Sequence, residues 1–304
     1  MKKGYSVCIP CYNEENSIER LLRWCHDNCR DADKIIVCSD GSTDRTNEVV
    51  SSFIKNNPHL PLKIFLQKER MGKTWAMNFI TDECDTDIMI FFDADIIPTR
   101  YAIDRIMEHF KDKEVGCVCG YHIVMNEKHG IVNYINHIVF NAKRNQDLWS
   151  SQNKKFFHVN GMVCAYRKSI LPKVTYHGAS QDAWVGWFIG KKGYKVIYAD
   201  DVGIKFFAPM TLIDWKKSRK RTIIGRIRLN REHKVQKYFF SEIPFAQHMV
   251  SILRATPLNP KWYLALVFGA CLECLLRLRY YMCYNHYYKQ YEGSKWEQIT
   301  TTKK

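Results

Sequence analysis

Asp93 and Asp95 directly follow the apolar run Ile88–Phe92, with only Ala94 between them. Two carboxylates at that spacing can share one hard divalent cation, directly or through ligand hydroxyls, and that cation can neutralise a diphosphate. A lone pair of this kind is more simply an acidic turn after a strand, but here it has company. Pro10-Cys11-Tyr12-Asn13-Glu14, the stretch SDGSTD (Ser39–Asp44) and Arg70-Met71-Gly72-Lys73 each gather polar or ring-bearing side chains behind apolar residues. Asp40, on a tight turn at Gly41, could accept from a pyrimidine imide N–H, or equally serve as an Asx-turn or helix-cap acceptor. Lys73 could contact phosphate. Gly72-Lys73-Thr74 also looks like the end of a P-loop, but that pattern requires a glycine where Gln67 stands. Further on, Asn160-Gly161 precedes Ser180-Gln181-Asp182, which opens a helix whose dipole favours a carboxylate in the first turn. Asp182 could be a capping group only, or a general base for a hydroxyl acceptor.

Such groups converge only if the backbone delivers them to one edge. Tyr5–Ile9 reads as a strand, and Glu15–Arg30 as a helix with Ile18, Leu21, Leu22 and Cys25 on one face. Lys34–Cys38 is a second strand, and Asp44–Lys55 a helix that Ser42 or Thr43 is placed to cap. Leu62–Leu66 and Ile88–Phe92 are further strands, separated by a helix from about Lys73 to Thr81. This β-α-β-α-β-α-β order predicts parallel strands with crossover helices, an α/β sheet whose ligands bind at the carboxyl ends of the strands. Every chemistry-bearing stretch in the first hundred residues sits at such an end or in the loop before a crossover helix. The Asp182 helix runs to about Lys191, closed by Gly193-Tyr194 before a strand at Lys195–Tyr198.

The chain has 304 residues, a hydrophobic share of 46% and a net charge of +15. That composition supports a packed core and excludes intrinsic disorder; the length allows one large domain or two modest ones. The charge is uneven: residues 1–204 carry net +2 and residues 205–304 net +13. A basic final third calls for an anionic partner: nucleic acid, a phosphorylated small molecule or an anionic membrane face. Met1-Lys2-Lys3 is followed by Gly4–Pro10, too short for a secretory apolar region, so the twelve cysteines are expected as reduced thiols in the cytosol. The pairs Cys8/Cys11 and Cys271/Cys274 have Cys-x-x-Cys spacing, but buried thiols explain them more simply than zinc.

Six stretches in this order resemble the family-2 glycosyltransferases, inverting enzymes of the GT-A fold that use nucleotide-diphospho-sugars. They are IPCYNEE (Ile9–Glu15), SDGSTD (Ser39–Asp44), RMGKTWAMN (Arg70–Asn78), FFDADIIP (Phe91–Pro98), NGMVCAYR (Asn160–Arg167) and SQDAWVGWFIGKKGYKVIYADD (Ser180–Asp201). The resemblance runs from about Tyr5 to Gly225. It implies a GT-A α/β fold with a mostly parallel central sheet. Pro10, Tyr12, Glu14 and Asp40 would border the nucleoside, with Lys73 near the diphosphate and Gly161 by the sugar. Asp93 would contact the ribose or sugar and help hold the cation, Asp95 would ligate Mn²⁺ or Mg²⁺, and Asp182 would be the base.

Two departures stand out. The family's Thr-Glu-Asp before the acceptor helix is here Ser180-Gln181-Asp182, which keeps the base and loses its acidic neighbour. The Gln-x-x-Arg-Trp signature of processive synthases maps onto Ser218-Arg219-Lys220-Arg221-Thr222, with Gly225 in its usual place. Only Arg221 survives, which argues against processive polymerisation and leaves Arg221, with Arg219 or Lys220, to neutralise a leaving diphosphate. The reaction implied is one in-line displacement: Asp182 takes the acceptor proton, the hydroxyl attacks the anomeric carbon, and the nucleoside diphosphate leaves.

The expected organisation is a glycosyltransferase domain over 1–204, with a nucleotide-sugar half to about 125 and an acceptor half from about 126. A basic gating loop and helix (205–242) and an apolar, aromatic, amphipathic helical tail (243–304) follow. Ile243–Leu253 suits a surface helix, and Trp262–Leu276 is apolar apart from Glu273. Fifteen residues fall short of the roughly 20 needed to cross a bilayer. Apolar faces, aromatics and basic surplus together predict a peripheral anchor at an anionic, cytoplasmic membrane face, and a lipid-linked or glycan acceptor. A soluble enzyme with a protein or small-molecule acceptor is the alternative. Nucleic-acid binding through Lys216–Arg231 (KKSRKRTIIGRIRLNR) is the competitor from another class, but it leaves the acidic strand ends without a role, so no nucleic acid is expected.

Overall fold

A computed structural model describes residues 4–153, 159–235, 243–290, 299 and 302. The alternating apolar runs of the N-terminal third become β1 (Tyr5–Cys11), β2 (Lys34–Asp40), β3 (Leu62–Gln67) and β4 (Ile88–Phe92). They are linked by α1 (Ile18–Asn28), α2 (Thr46–Asn56) and α3 (Lys73–Glu83). All four strands are parallel, as the crossover pattern predicts. Their register sets Cys11 beside Ser39 and Asp40 beside Gln67, so the polar ends of β1, β2 and β3 finish level. β4 is buried on both faces: Ile88, Ile90 and Phe92 pack toward α1 and α2, and Met89 and Phe91 toward α3. That is the period of two expected of a strand covered on both sides.

The second half departs from simple winding. β5 (Ile96–Pro98), α4 (Ala102–His109), β6 (Val115–Val124) and α5 (Ile131–Gln152) follow, then β7 (Val163–Arg167), α6 (Gln181–Lys191) and β8 (Lys195–Phe206). The eight strands form one sheet in the order β3-β2-β1-β4-β7-β6-β8-β5. β7 enters it reversed, antiparallel to both β4 and β6. The start of β7 therefore reaches the same edge as the ends of β1, β2 and β4. β8 extends well beyond the expected Tyr198, because residues 203–206 pair with β6 on one side and β5 on the other.

The cap of α2 corrects the expectation of Ser42 or Thr43. Arg45 stands at the N-cap with no side-chain cap bond, and Asp44 just before it accepts from the Thr46 N–H at 3.0 Å. Ser42 and Thr43 instead bind Asn13 across the sheet edge.

Three helices close the described chain after α7 (Leu212–His233): α8 (Phe245–Ala255), α9 (Pro260–Met282) and α10 (Tyr284–Gln290). α9 starts on an Asn259 side-chain cap with Pro260 in its first turn. It packs Trp262, Ala265, Leu276 and Tyr280 against Ile135 and Ile138 of α5 and Trp215 and Ile224 of α7. Gly269 lets α9 come close to α5, since a Cβ there would meet Ile135 at 3.1 Å. The other face of α9 exposes Leu264, Val267, Leu275 and Leu278. Among the described residues no helix is long and apolar enough to cross a membrane. The cysteines are all free thiols; Cys8 and Cys11 are buried as expected, but Cys271 and Cys274 lie exposed on α9. Residues 236–242 of the expected gating segment and 291–298 of the tail lie outside the described residues.

Candidate active site

The ends of β1 and β2 are stitched together. Asn13, at φ 54°, donates its backbone N–H to Ser42 Oγ at 3.1 Å, and its Oδ1 accepts from the Thr43 N–H at 2.8 Å. The Glu14 N–H donates to Thr46 Oγ1 at 2.7 Å and the Glu15 N–H to Asp44 Oδ2 at 3.1 Å. These bonds account for the stretch SDGSTD as a scaffold that holds the Pro10–Glu14 loop in shape. Pro10, Tyr12, Glu14 and Asp40 all line one cavity of about 880 Å³.

Asp40 is almost fully buried, and both of its oxygens are engaged by backbone. Oδ1 accepts from the Met71 N–H at 2.6 Å and Oδ2 from the Gly72 N–H at 2.7 Å. The turn at Gly41 (φ 69°) presses on this loop, where an added Cβ would stand 2.5 Å from the Arg70 nitrogen. Asp40 thus fixes the Arg70–Gly72 loop before any base arrives. Arg70 in turn lies over the Tyr12 ring at 4.0 Å, and Lys73 starts α3 immediately after Gly72.

Lys73 Nζ reaches Asp93 Oδ1 at 2.5 Å and the Gly161 carbonyl at 3.5 Å. Burial pulls the Lys73 ammonium down, but Asp93 and then Asp182 outweigh it and leave it above the ordinary lysine value. Burial, with the Asp93 charge beside it, pushes Asp95 up to about 6. Gly161 is in contact with Asp182: a Cβ at 161 would meet Asp182 Oδ2 at 3.1 Å. Burial raises Asp182 above the usual aspartate range, against the Ala183 N–H, Lys73 and Arg226, which favour its charge.

α7 brings the cations. Its Gly225 lies against Ser180 and Ala179, where a Cβ would stand 2.8 Å from Ser180 Oγ, and the Gly225 carbonyl accepts from the Tyr176 hydroxyl. That close approach seats α7 on the start of α6 and carries Arg221 into the cavity wall, within electrostatic reach of Lys73 and Asp95. Arg219 is committed elsewhere: it pairs two-pronged with Glu273 of α9 at 2.8 and 2.6 Å, and Arg277 joins the same carboxylate at 2.8 Å. Burial would raise Glu273, yet these two guanidiniums hold it at about 2. Other basic groups of the 216–231 stretch are likewise engaged within the protein. Arg228 pairs with Glu232, and Lys220 and Arg231 lie over Tyr287 and Tyr284. Arg219 and Arg228 of that stretch thus have carboxylate partners inside the protein.

The residues present fit a divalent cation of the Mg²⁺ or Mn²⁺ type. Asp95 is a half-buried carboxylate crowded by a second one, an arrangement that a cation relieves. Among the described residues no cluster of three or more acidic, His or Cys side chains could hold a metal by itself. One or two carboxylates completed by ligand phosphates and water is the usual set for such ions.

A parallel sheet continued by a reversed strand, with paired carboxylates, a lysine and a half-buried aspartate at one edge, is the GT-A arrangement of glycosyltransferases. Residues 6–175 match the family described as Glycosyl transferase family 2, and the chain belongs to that family. Poly-beta-1,6-N-acetyl-D-glucosamine synthase of Staphylococcus aureus (strain MSSA476) is 28% identical over 232 residues, covering 73% of this chain and 54% of that protein. The synthase of Staphylococcus epidermidis is 26% identical over the same shares. The chain thus spans about half the length of the curated relatives it matches. The mannosyltransferase PcManGT from Pyrobaculum calidifontis, solved with GDP-Man and Mn²⁺, superposes with a TM-score of 0.57 at 18% identity, covering 94% of this chain and 83% of that one. GalNAc-T7 with UDP, GalNAc and Mn²⁺ gives a TM-score of 0.52 at 14% identity over 67% of this chain and 43% of that one. These two likenesses establish the fold.

All ten residues singled out in the sequence line the same cavity. Three that were not singled out also face it: Lys143, Gln146 and Asp147 of α5. Their spacing of three and four marks one helical face, but nothing local tells that this face looks into a cavity. Arg226, next to Gly225, was hidden in the basic run.

Proposed function

We propose that this protein is an inverting glycosyltransferase that moves a sugar from a nucleotide-diphospho-sugar to a hydroxyl or phosphate acceptor on a glycan or a lipid-linked molecule. The observation that carries this is the convergence of Asp93, Asp95, Lys73, Asp182 and Arg221, from four separate stretches of chain, on one cavity. The Asp40-anchored loop and Tyr12 form the nucleoside end. Lys73 exchanges its Asp93 contact for the diphosphate, and Arg221 adds charge from the opposite wall. Asp182, held against Gly161, accepts the proton of the attacking hydroxyl, and the nucleoside diphosphate departs toward Lys73 and Arg221. Desolvation at this depth strengthens each of these interactions. Asp93 and Asp95 would hold Mn²⁺ or Mg²⁺, which supplies positive charge to the diphosphate.

N-acetylglucosamine is the first donor sugar to test, because the curated relatives are named for its polymer. Thermal-shift screening of nucleotide sugars with Mn²⁺, followed by hydrolysis of the best binder, tests the reading. A protein that neither binds nor hydrolyses any nucleotide sugar refutes it.

We also assign the protein to the cytoplasmic surface of an anionic membrane, with the exposed apolar face of α9 as the contact. Leu264, Val267, Phe268, Leu275 and Leu278 form that face, with Arg277 and Arg279 also exposed on the helix. Co-sedimentation with phosphatidylglycerol vesicles, lost on Leu264→Glu/Val267→Glu, is expected; equal partition without vesicles removes the assignment.

A further inference from the structure

The cavity does not end at Asp182. It continues along one face of α5, where Lys143, Gln146 and Asp147 line it together with Asn160 and, from α7, Arg226. Arg226 stands within electrostatic reach of both Asp182 and Asp147, so this wall adjoins the base. Lys73 and Asp93 also stand within electrostatic reach of Asp182.

Two groups on this wall lack partners in the described structure. Asn160 is 4% exposed, and its Nδ2 donates to the Gly120 carbonyl, but its buried Oδ1 has no hydrogen bond. Buried polar atoms without a partner are uncommon, and an orphaned acceptor beside a cavity calls for a donor supplied by a ligand. Gln146 is half-buried and makes no side-chain hydrogen bond among the described residues. Between them Lys143 Nζ meets Asp147 Oδ2 at 2.5 Å, with Asp147 largely buried.

The wall thus offers an ammonium, a carboxylate, a side-chain amide and an orphaned carbonyl oxygen. Such mixed donors and acceptors suit a neutral group whose hydroxyls both give and take hydrogen bonds. A phosphate would meet the Asp147 charge, and a hydrocarbon chain would leave the polar atoms desolvated and unpaired. We propose that Lys143, Gln146, Asp147 and Asn160 form the acceptor subsite, and that it takes a neutral sugar ring bearing an acetamido or hydroxyl donor toward Asn160 Oδ1. This rests on the glycosyl-transfer reading, with Asp182 as the base.

The test uses the full chain with Mn²⁺ and UDP, and methyl N-acetyl-β-D-glucosaminide as the probe in saturation-transfer NMR. Wild-type protein is expected to bind it in the millimolar range. Gln146→Leu should weaken the probe about 5- to 10-fold, the effect of one lost hydrogen bond of about 1 kcal/mol. The double variant Lys143→Met/Asp147→Leu, which removes both charges together, should abolish probe binding. UDP affinity, measured on the same samples, should stay within 2-fold and certifies that each variant is folded. Failure of wild type to bind the probe, or equal binding by all three proteins, overturns the subsite. A wild-type protein that binds no nucleotide would instead bring down the glycosyl-transfer reading, a separate outcome.

Discussion

Asp40→Asn separates two roles for one carboxylate. Asp40 accepts from the Met71 N–H at 2.6 Å and the Gly72 N–H at 2.7 Å. Asparagine keeps one acceptor and turns an NH₂ group toward the other N–H. The change removes one charge-assisted hydrogen bond, about 1.5–3 kcal/mol, and leaves a buried N–H unsatisfied at about 1–3 kcal/mol. If half of that combined cost falls on ordering the Arg70–Gly72 loop, nucleotide affinity drops by about 1.3–3 kcal/mol, roughly 10- to 150-fold. The loop holds Arg70 over Tyr12 and sets Lys73 at the start of α3, so the loss should reach every ligand that carries a diphosphate. Calorimetric titration with Mn²⁺ should be run on UDP and GDP, whose bases present a ring N–H on the pairing edge, and on CDP and pyrophosphate, which do not. A parallel fall for all four supports the anchor role. A fall confined to UDP and GDP would refute it and make Asp40 a reader of the base instead.

Asp182→Asn should lower transfer about 10²- to 10⁴-fold, the usual range for a general base, while nucleotide affinity changes little; unaltered turnover removes Asp182 from that role. Because burial holds Asp182 above the ordinary aspartate range, the acid limb of wild-type turnover should lie above that range too, with activity gained as pH rises through it. Gly161→Ala forces a Cβ to within 3.1 Å of Asp182 Oδ2. A shift of a few tenths of an ångström at the base should cost kcat about 10-fold and leave donor KM nearly unchanged; an equal rise in donor KM would place the strain elsewhere. Glu273, held at about 2, stabilises the α7–α9 contact above its unfolded value near 4.5, and that stability is lost as pH falls toward 2. Glu273→Gln should lower Tm at pH 7 by a stability loss on the order of 2 kcal/mol, and the gap to wild type should shrink at pH 3. A pH-independent gap would assign the effect to packing.

The parts of the fold that were legible in the sequence are those made by neighbours. β1 to β4 and their crossover helices each announce themselves through local periodicity, and the topology of such units is nearly forced. The acidic strand ends were legible because strand termini on one edge must meet. What escaped was tertiary in origin. Nothing in NGMVCAYR says that its strand runs backwards between β4 and β6. Asp40 reads equally as a ligand acceptor or a local turn or cap acceptor, because its partners are backbone N–H groups about thirty residues away. The signature match singled out Arg221 in KKSRKR but left Arg219 open as its helper, and only the placement of Glu273 on α9 shows Arg219 tied to a carboxylate. The α5 face carrying Lys143, Gln146 and Asp147 belongs to a helix of mixed character whose cavity side is defined by what packs around it.

The reversed strand has a consequence for how the protein assembles. β1 pairs with β2, and β2 with β3, across crossovers of about 20 residues, whereas β4 reaches β1 only after about 76 intervening residues and β7 reaches β4 after about 70, closures that each cost about 4 kcal/mol in chain entropy. The β1–β3 unit is therefore expected to order first, with β4 and β7 joining through the longer closures, so that the seam between β4 and β7 zips late and opens early. Asp93 sits at that seam, its N–H donating to the Met162 carbonyl at 3.1 Å. Native-state hydrogen exchange should find the β7 amides opening at lower free energy than those of β1 and β2, and uniform protection would contradict this order. A nucleotide and cation bound across the seam would act as a clasp, so that loading the donor also completes the folding of the half that must receive the acceptor.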